Sequence, residues 1–260
     1  MLFSEPRFFV FFAIYVVLHV LLPARWRIWL VIIGGAVFYA SWRPDYLWVP
    51  LGLSVLAHFG VQWMEQARDE ASRKLRLWSV LAALFLPLIS VKYTHFFLAD
   101  VVGAGIAADQ YRWALPLGIS FVTFTVTAYV VDVYRRKYSR ENSLPLMLGY
   151  VLLFPHLIAG PILRPHELMP QLKQERAARD ARVLLGASLF TLGLIKKLIF
   201  ADQLAAAVEP VYAGAVGLTA WHYLIAIYGF SVQIYCDFSG YTDMAIGLAY
   251  LLRIRLPTNF

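Results

Sequence analysis

Val183-Leu184-Leu185-Gly186-Ala187-Ser188-Leu189-Phe190-Thr191-Leu192-Gly193-Leu194-Ile195-Lys196-Lys197-Leu198-Ile199-Phe200 carries no charge as far as Ile195, sets two lysines side by side, and returns at once to apolar side chains. A helix crosses a bilayer core of roughly 30 Å with about twenty mostly apolar residues, so this stretch reads as a membrane span with its charge near one end. The same pattern recurs at Pro6 to Leu22, Arg25 to Ala40, Leu47 to Met64, Leu75 to Leu98 with Pro87 as a kink, Leu115 to Val133, and Trp221 to Asp237. Composition agrees: 60% of residues are hydrophobic, 16% aromatic, and the mean hydropathy is +0.64, against roughly 45 to 50% apolar in a soluble domain. The expected fold is an all-α polytopic membrane protein with about seven transmembrane helices. It reads as a single membrane domain over residues 1–260, or part of one, with no internal repeat or soluble module. Phe8 to Leu22 resembles a signal peptide only superficially, because Pro23-Ala24-Arg25-Trp26 offers no small-x-small cleavage site.

The net charge of +7 does not point to nucleic acid, because the basic residues fall in short runs between apolar segments, where they set topology. Arg25 and Arg27, the loop with Arg68, Arg73, Lys74 and Arg76, and the loop with Arg135, Arg136, Lys137 and Arg140 mark the cytoplasmic side, while Asp100 to Arg112 is acidic. The amino terminus is then external, periplasmic in a bacterial inner membrane. The next loop, Arg164 to Arg182, is basic again, so the element between must enter and leave by one face. Leu146 to Ile158, ending in Ala159-Gly160-Pro161, is the candidate: at 1.5 Å per residue it reaches only about 20 Å. A short re-entrant segment predicts a buried cavity open to the cytoplasm; the alternative is a short helix tilted on the surface.

Charge inside such a chain costs on the order of 2.5 to 3.5 kcal/mol at a helix centre and persists where it lines a site or finds a partner. The densest instance is Gln233-Ile234-Tyr235-Cys236-Asp237-Phe238-Ser239-Gly240-Tyr241-Thr242-Asp243. On a helix, Gln233 and Asp237 share a face, with Gly229, Gly240 and Gly247 available for close backbone approach. Ser239-Gly240 is expected to break that helix, with Thr242 capping a second one and Asp243 in its first turn; the structural alternative has Asp237 accepting from loop amides. Lys196 and Lys197 read either as lysines snorkelling at a helix end or as a cationic wall for an anionic substrate or phosphate-bearing donor. His156, beside Pro155, is either a proton donor or head-group ligand or an imidazole satisfied by backbone carbonyls. His95 and Asp100 match a two-residue acyltransferase pattern, His-x4-Asp, but lie on the acidic loop without a companion motif. Gly-x-Ser-x-Gly, P-loop and His-Glu-x-x-His strings are absent, the six histidines are scattered, and the lone Cys236 permits neither an intramolecular disulfide nor a thiolate cluster. No metal site is expected.

Five ordered strings together resemble the membrane-bound O-acyltransferase (MBOAT) family, in its bacterial alginate O-acetylase branch. They are Phe38-Tyr39-Ala40-Ser41-Trp42-Arg43-Pro44 with Tyr46-Leu47; Leu115-Pro116-Leu117-Gly118-Ile119-Ser120-Phe121 leading to Asp132-Val133-Tyr134-Arg135; Phe154-Pro155-His156-Leu157-Ile158-Ala159-Gly160-Pro161-Ile162-Leu163-Arg164; Gly193-Leu194-Ile195-Lys196-Lys197; and Gln233 to Gly247. The resemblance implies transfer of a short acyl group, usually acetyl, onto polysaccharide hydroxyls across the membrane, alginate being the leading acceptor. The donor would be acetyl-CoA or another acyl carrier on the cytoplasmic side, with no bound cofactor. Membrane lipid and periplasmic polysaccharide-modification proteins would be partners, and a bacterial inner membrane the location. Asp237, Gln233, Tyr241 and Asp243 become supporting residues of an acyl tunnel; His156, Gly160, Pro161, Arg164, Lys196 and Lys197 would line the tunnel or its mouth.

In that family a segment resembling Leu256-Pro257-Thr258-Asn259-Phe260 is followed by an Arg-Trp-His string whose histidine is the catalytic base, and no histidine here holds that place. The chain therefore reads as an N-terminal half, without a catalytic residue and inactive alone. A positioned base typically contributes about 10²- to 10⁴-fold, and a carboxylate with a pKa near 3.9 is a weak substitute. The alternative function is a non-enzymatic transporter or acyl-carrier conduit, or a truncated scaffold, since transporters also bury charge beside broken helices.

Overall fold

A computed structural model describes residues 1–103, 114–157, 160–161, 163–173, 182–214 and 217–259. Among these, no strand occurs. The helices are α1 (Pro6–Leu21), α2 (Ala24–Ala40), α3 (Trp48–Glu65), α4 (Glu70–Phe96), α5 (Ile119–Tyr134), α6 (Leu144–Leu152), α7 (Phe154–Leu157), α8 (Pro165–Lys173), α9 (Val183–Ile195), α10 (Asp202–Tyr212) and α11 (Ala220–Leu251). Polar residues fix several starts by accepting orphan amides. Asp69 accepts from Ser72 N at 2.9 Å before α4, and Ser143 accepts from Leu146 N at 3.3 Å before α6. Gly118, at φ 67°, turns the chain into α5, a left-handed conformation that costs a β-carbon-bearing residue.

The chain is an all-helical membrane protein. Three helical runs are long and apolar enough to cross a bilayer: Pro44–Glu65, Glu70–Val101, which extends α4 by a π turn, and Val183–Tyr212, in which a π turn at Lys196–Ala201 joins α9 to α10. Two shorter apolar helices are α1 and α5. The outer faces of α1, α4 and α9 carry Val10, Ile14, Val17, Leu86, Ile89 and Leu184, apolar surface suited to lipid rather than water.

The helices fall into two compact units. One holds α1 and α9 to α11; the other holds α2 to α8. In the second, α2 crosses α6 so closely that a β-carbon on Gly35 would strike the Leu152 carbonyl, and one on Gly149 would lie 2.5 Å from Ile28 Cδ1. Tyr39, Tyr129, Tyr150, Phe38 and Phe154 fill its core.

Two sequence expectations change. The break expected at Ser239-Gly240 does not occur: α11 runs unbroken for 32 residues, and Thr242 is an interior residue, not a cap. Packing overrides local propensity here, because Gly240 lies against the α9 backbone, where a side chain would not fit. The segment ending at Val133 or Phe200 on apolar count also runs on, in the second case through the π turn into α10. The short segment from Leu146 is two helices broken at Leu153 (ψ 103°), and every residue from Gly149 to Leu157 is buried. A helix lying free on the surface would expose one side, which residues 149–157 do not. The end of this segment at Ile158 and Ala159, most of the acidic loop to Arg112, and Arg176, Arg179 and Asp180 lie outside the described residues.

Candidate functional site

In the unit of α1 and α9 to α11, glycines bring α9 and α11 together antiparallel. A β-carbon on Gly186 would lie 2.8 Å from Gly247 O, one on Gly240 2.8 Å from Gly193 O, and one on Gly247 2.6 Å from both Gly186 O and Phe190 N. Small residues permit this backbone approach, and Gly240 and Gly247 serve it as their sequence context suggests. Gly229 instead faces Val208 Cγ2 of α10.

Where α9 passes into the π turn, its two lysines reach α11. Lys196 Nζ lies 2.6 Å from Asp243 Oδ2, and Lys197 Nζ lies 2.6 Å from Asp237 Oδ1 and 2.8 Å from Asp202 Oδ1. Successive residues of an α-helix point about 100° apart; the wider π turn, a form common at functional sites, sits where both lysines face one neighbouring helix. Lys197 also lies 5.5 Å over the Tyr241 ring, within cation–π range, and Tyr241 packs against Phe3 at 6.0 Å between centroids. Three carboxylates meet two ammonium groups, so the seam has one excess negative charge, at the rim where Asp237 and Asp202 are each 43% exposed. Lys196 and Lys197 are thus engaged by carboxylates, not free at a helix end.

Hydroxyls and an amide flank this seam without protein partners. Among the described residues, Ser239 Oγ, Thr242 Oγ1 and Gln233 Oε1 are buried and accept or donate no hydrogen bond. Gln233 borders a mainly apolar cavity of about 390 Å³ with Val208, Glu209, Tyr212 and Phe230. Desolvated polar atoms of this kind cost on the order of 1 to 3 kcal/mol each unless satisfied, which is chemistry suited to holding a water or a ligand hydroxyl.

The other predicted residues lie elsewhere. His156 is buried, and its Nε2 bonds the Tyr150 carbonyl at 2.8 Å; because a carbonyl only accepts, Nε2 carries the proton. Tyr150 donates its hydroxyl to Leu163 O at 2.6 Å. Arg164 Nη1 donates to Asp132 Oδ1 at 2.8 Å, its own N–H meets Glu167, and its side chain is 52% exposed where Asp132 is 1%. Gly160 and Pro161 are buried. His95 ends α4, and Asp100 is exposed in the π turn that follows. No group of three metal-ligating side chains occurs among the described residues.

Sequence reading missed two participants. Asp202, five residues after Lys197, carries no role in the sequence reading, and Asp132 is the sole charge in the run from Ile119 to Val133; an acid in an apolar run is its signal.

No family model matches the chain. It is similar along its whole length to curated proteins, however. A protein of Pseudomonas aeruginosa named probable alginate O-acetylase AlgI is 33% identical over 268 residues, covering all of this chain and 51% of that protein. A peptidoglycan O-acetyltransferase of Helicobacter pylori is 32% identical over 262 residues, 90% of this chain and 49% of that protein. A teichoic acid D-alanyltransferase of Bacillus subtilis is 27% identical over 154 residues, 55% of this chain and 37% of that protein. The chain spans about half the length of the curated O-acetylases it matches.

Proposed function

The chain belongs to the membrane-bound O-acyltransferases, and on that premise we propose that the protein to which it contributes transfers an acyl group, acetyl first, onto the hydroxyls of an exopolysaccharide. The carrying observation is the match, over the full chain, to proteins named as O-acetylases. Alginate is the leading acceptor and acetyl-CoA or another cytoplasmic acyl carrier the donor. The protein sits in a bacterial inner membrane, crosses it about seven times from a periplasmic amino terminus, and works with periplasmic polysaccharide-modification proteins.

Transfer needs a sugar hydroxyl to be deprotonated as it attacks the acyl carbonyl, with the carrier thiol leaving when the donor is a thioester. The base is expected from an Arg-Trp-His string, which this sequence does not contain. The residues here have other work. Lys196 and Lys197, neutralised by Asp243, Asp237 and Asp202, fix α9 against α11, and Gln233 and Tyr241 line or brace the passage beside them. The buried α6–α7 segment, held by the Tyr150 and His156 bonds, re-enters from the cytoplasmic face, with Arg164 beside it at the mouth.

The test is ester-linked acetate per sugar residue in the exopolysaccharide of cells making the complete gene product, wild type against Asp237→Ala at equal membrane abundance. At least a tenfold fall is expected. Unchanged acetate removes Asp237 from the site, and no acetate from wild type with its partners present removes the function.

A further inference from the structure

In the unit of α2 to α8, the end of α3, the start of α4 and the turn after α5 enclose an open recess of about 410 Å³, walled chiefly by Glu65, Arg73, Arg136, Tyr138, Ser139 and Arg140. Three guanidinium groups and one carboxylate line it, and a second carboxylate, Glu70, lies 3.6 Å from Arg73 behind the wall, so positive charge remains in excess. The lining carboxylate is poorly engaged: Glu65 oxygens lie 3.9 Å from Arg73 and 4.0 Å from Arg140, too far for a hydrogen bond. Arg73, in contrast, is fixed. It donates to Val133 O at 3.3 Å and Tyr134 O at 2.9 Å and lies 4.8 Å over the Tyr134 ring.

Arg136 supplies a second observation. Its φ is +56°, the left-handed conformation usually given to glycine just after a helix and costing other residues about 1 to 2 kcal/mol. A long basic side chain held there, with no hydrogen bond or ion pair to its guanidinium among the described residues, points to a partner outside the chain. The recess also sits where three apolar helices stop, at Glu65, Glu70 and Tyr134, which is the level of phosphate groups at a bilayer surface.

We propose that this recess binds a phosphate ester, its anionic oxygens taken by the planar forks of Arg136 and Arg140, with the Ser139 hydroxyl adding a bond. Arg73 supplies fixed positive charge at the wall. Phosphate, with three or four oxygens in a tetrahedron, can engage both forks together, and 410 Å³ admits the ester group attached to it. A lipid headgroup and a soluble phosphate ester offer the same chemistry. The site is separate from the lysine seam and does not depend on acyl transfer.

The test uses the complete gene product purified in an uncharged detergent and follows its thermal midpoint, since a ligand that binds only the folded state raises it. The probes are inorganic phosphate against chloride at equal ionic strength, and dioctanoyl phosphatidic acid against dioctanoylglycerol. A rise with both phosphate probes supports the site for soluble and lipid esters alike; a rise confined to phosphatidic acid supports it and identifies the source as lipid. In both cases Arg136→Gln/Arg140→Gln weakens binding at least about tenfold. No rise over either control overturns the proposal, as does a rise that the double variant retains. Should the double variant not fold, Glu65→Gln decides: removing the competing carboxylate tightens binding severalfold, and unchanged or weaker binding overturns the site.

Discussion

The α9–α11 seam and the α6–α7 core bury polar groups by opposite means. In the seam, side chain meets side chain: two lysines pair with three aspartates between helices that touch at glycines, leaving one negative charge in excess at the rim. In the core, side chain meets backbone where Tyr150 and His156 bond carbonyls, while the buried Asp132 is the exception, matched to the half-exposed Arg164. The difference teaches where change is tolerated. A carbonyl remains in place whatever residue bears it, so a core bond fails only when its donor is lost. A charge pair fails from either side, and failure leaves an uncompensated ion.

The largest expected effect tests whether close approach underlies the seam. Gly193→Leu or Gly240→Leu places a side chain into opposing backbone, and overpacking of about 1 to 3 kcal/mol or more should appear as a steep loss of folded protein in membranes. Gly229→Leu, against one flexible Val208 methyl, should be milder; equal losses would show that glycine contact is not what joins α9 to α11.

Next comes the charge. Lys196→Met strands Asp243 and should lower stability by about 2 kcal/mol, less than the 3 to 5 kcal/mol of a fully buried pair, because both side chains retain some exposure. Lys196→Met/Asp243→Leu should recover most of it, and a double-mutant cycle in the thermal midpoint measures the coupling. Additive losses would break the contrast with the core.

Tyr150→Phe should cost about 1 kcal/mol, the net worth of a buried hydrogen bond, with no single substitution able to recover it by charge reversal. A loss matching that of Lys196→Met would remove the distinction.

The smallest effect concerns Lys173, whose amine is raised above its usual 10.5 chiefly by its bond to Glu141. A raised value in the folded state means that the stabilisation is complete below pH 10.5 and disappears as pH rises through the folded value. With the lysine side chain 52% exposed, the pair is worth less than about 1 kcal/mol. Lys173→Met should therefore lower the midpoint slightly and equally from pH 6 to 9, and the difference should close only above pH 10.5.

Much of this was legible in the linear chain. Apolar length marks α1 to α5 and α9, and the brevity of Leu146 to Leu157 sets it apart from them; it is two short buried helices, α6 and α7. The polar run from Gln233 to Asp243 announced charge that needs a partner in lipid, and its two aspartates have lysine partners. What could not be read was the partner. Lys196 to Asp243 and Lys197 to Asp237 are separated by 47 and 40 residues, and no local rule couples positions so far apart. Ser239-Gly240 misled for the same reason: in isolation a serine and a glycine end a helix, and only Gly193, elsewhere in the sequence, makes the glycine a contact instead.

The glycine pairs also work as registration marks. Gly186 faces Gly247 and Gly193 faces Gly240, a spacing of seven on each helix, so a slip of one residue would drive a side chain into each notch and pull both lysines away from their acids. Even a jump of about two full turns sets glycine against glycine at one notch alone, Gly186 with Gly240 or Gly193 with Gly247, and that jump leaves the charges mismatched. Shape and charge thus encode the same alignment twice, and sliding along this seam is closed as a route of motion; any rearrangement within this unit must come from the helices around the seam.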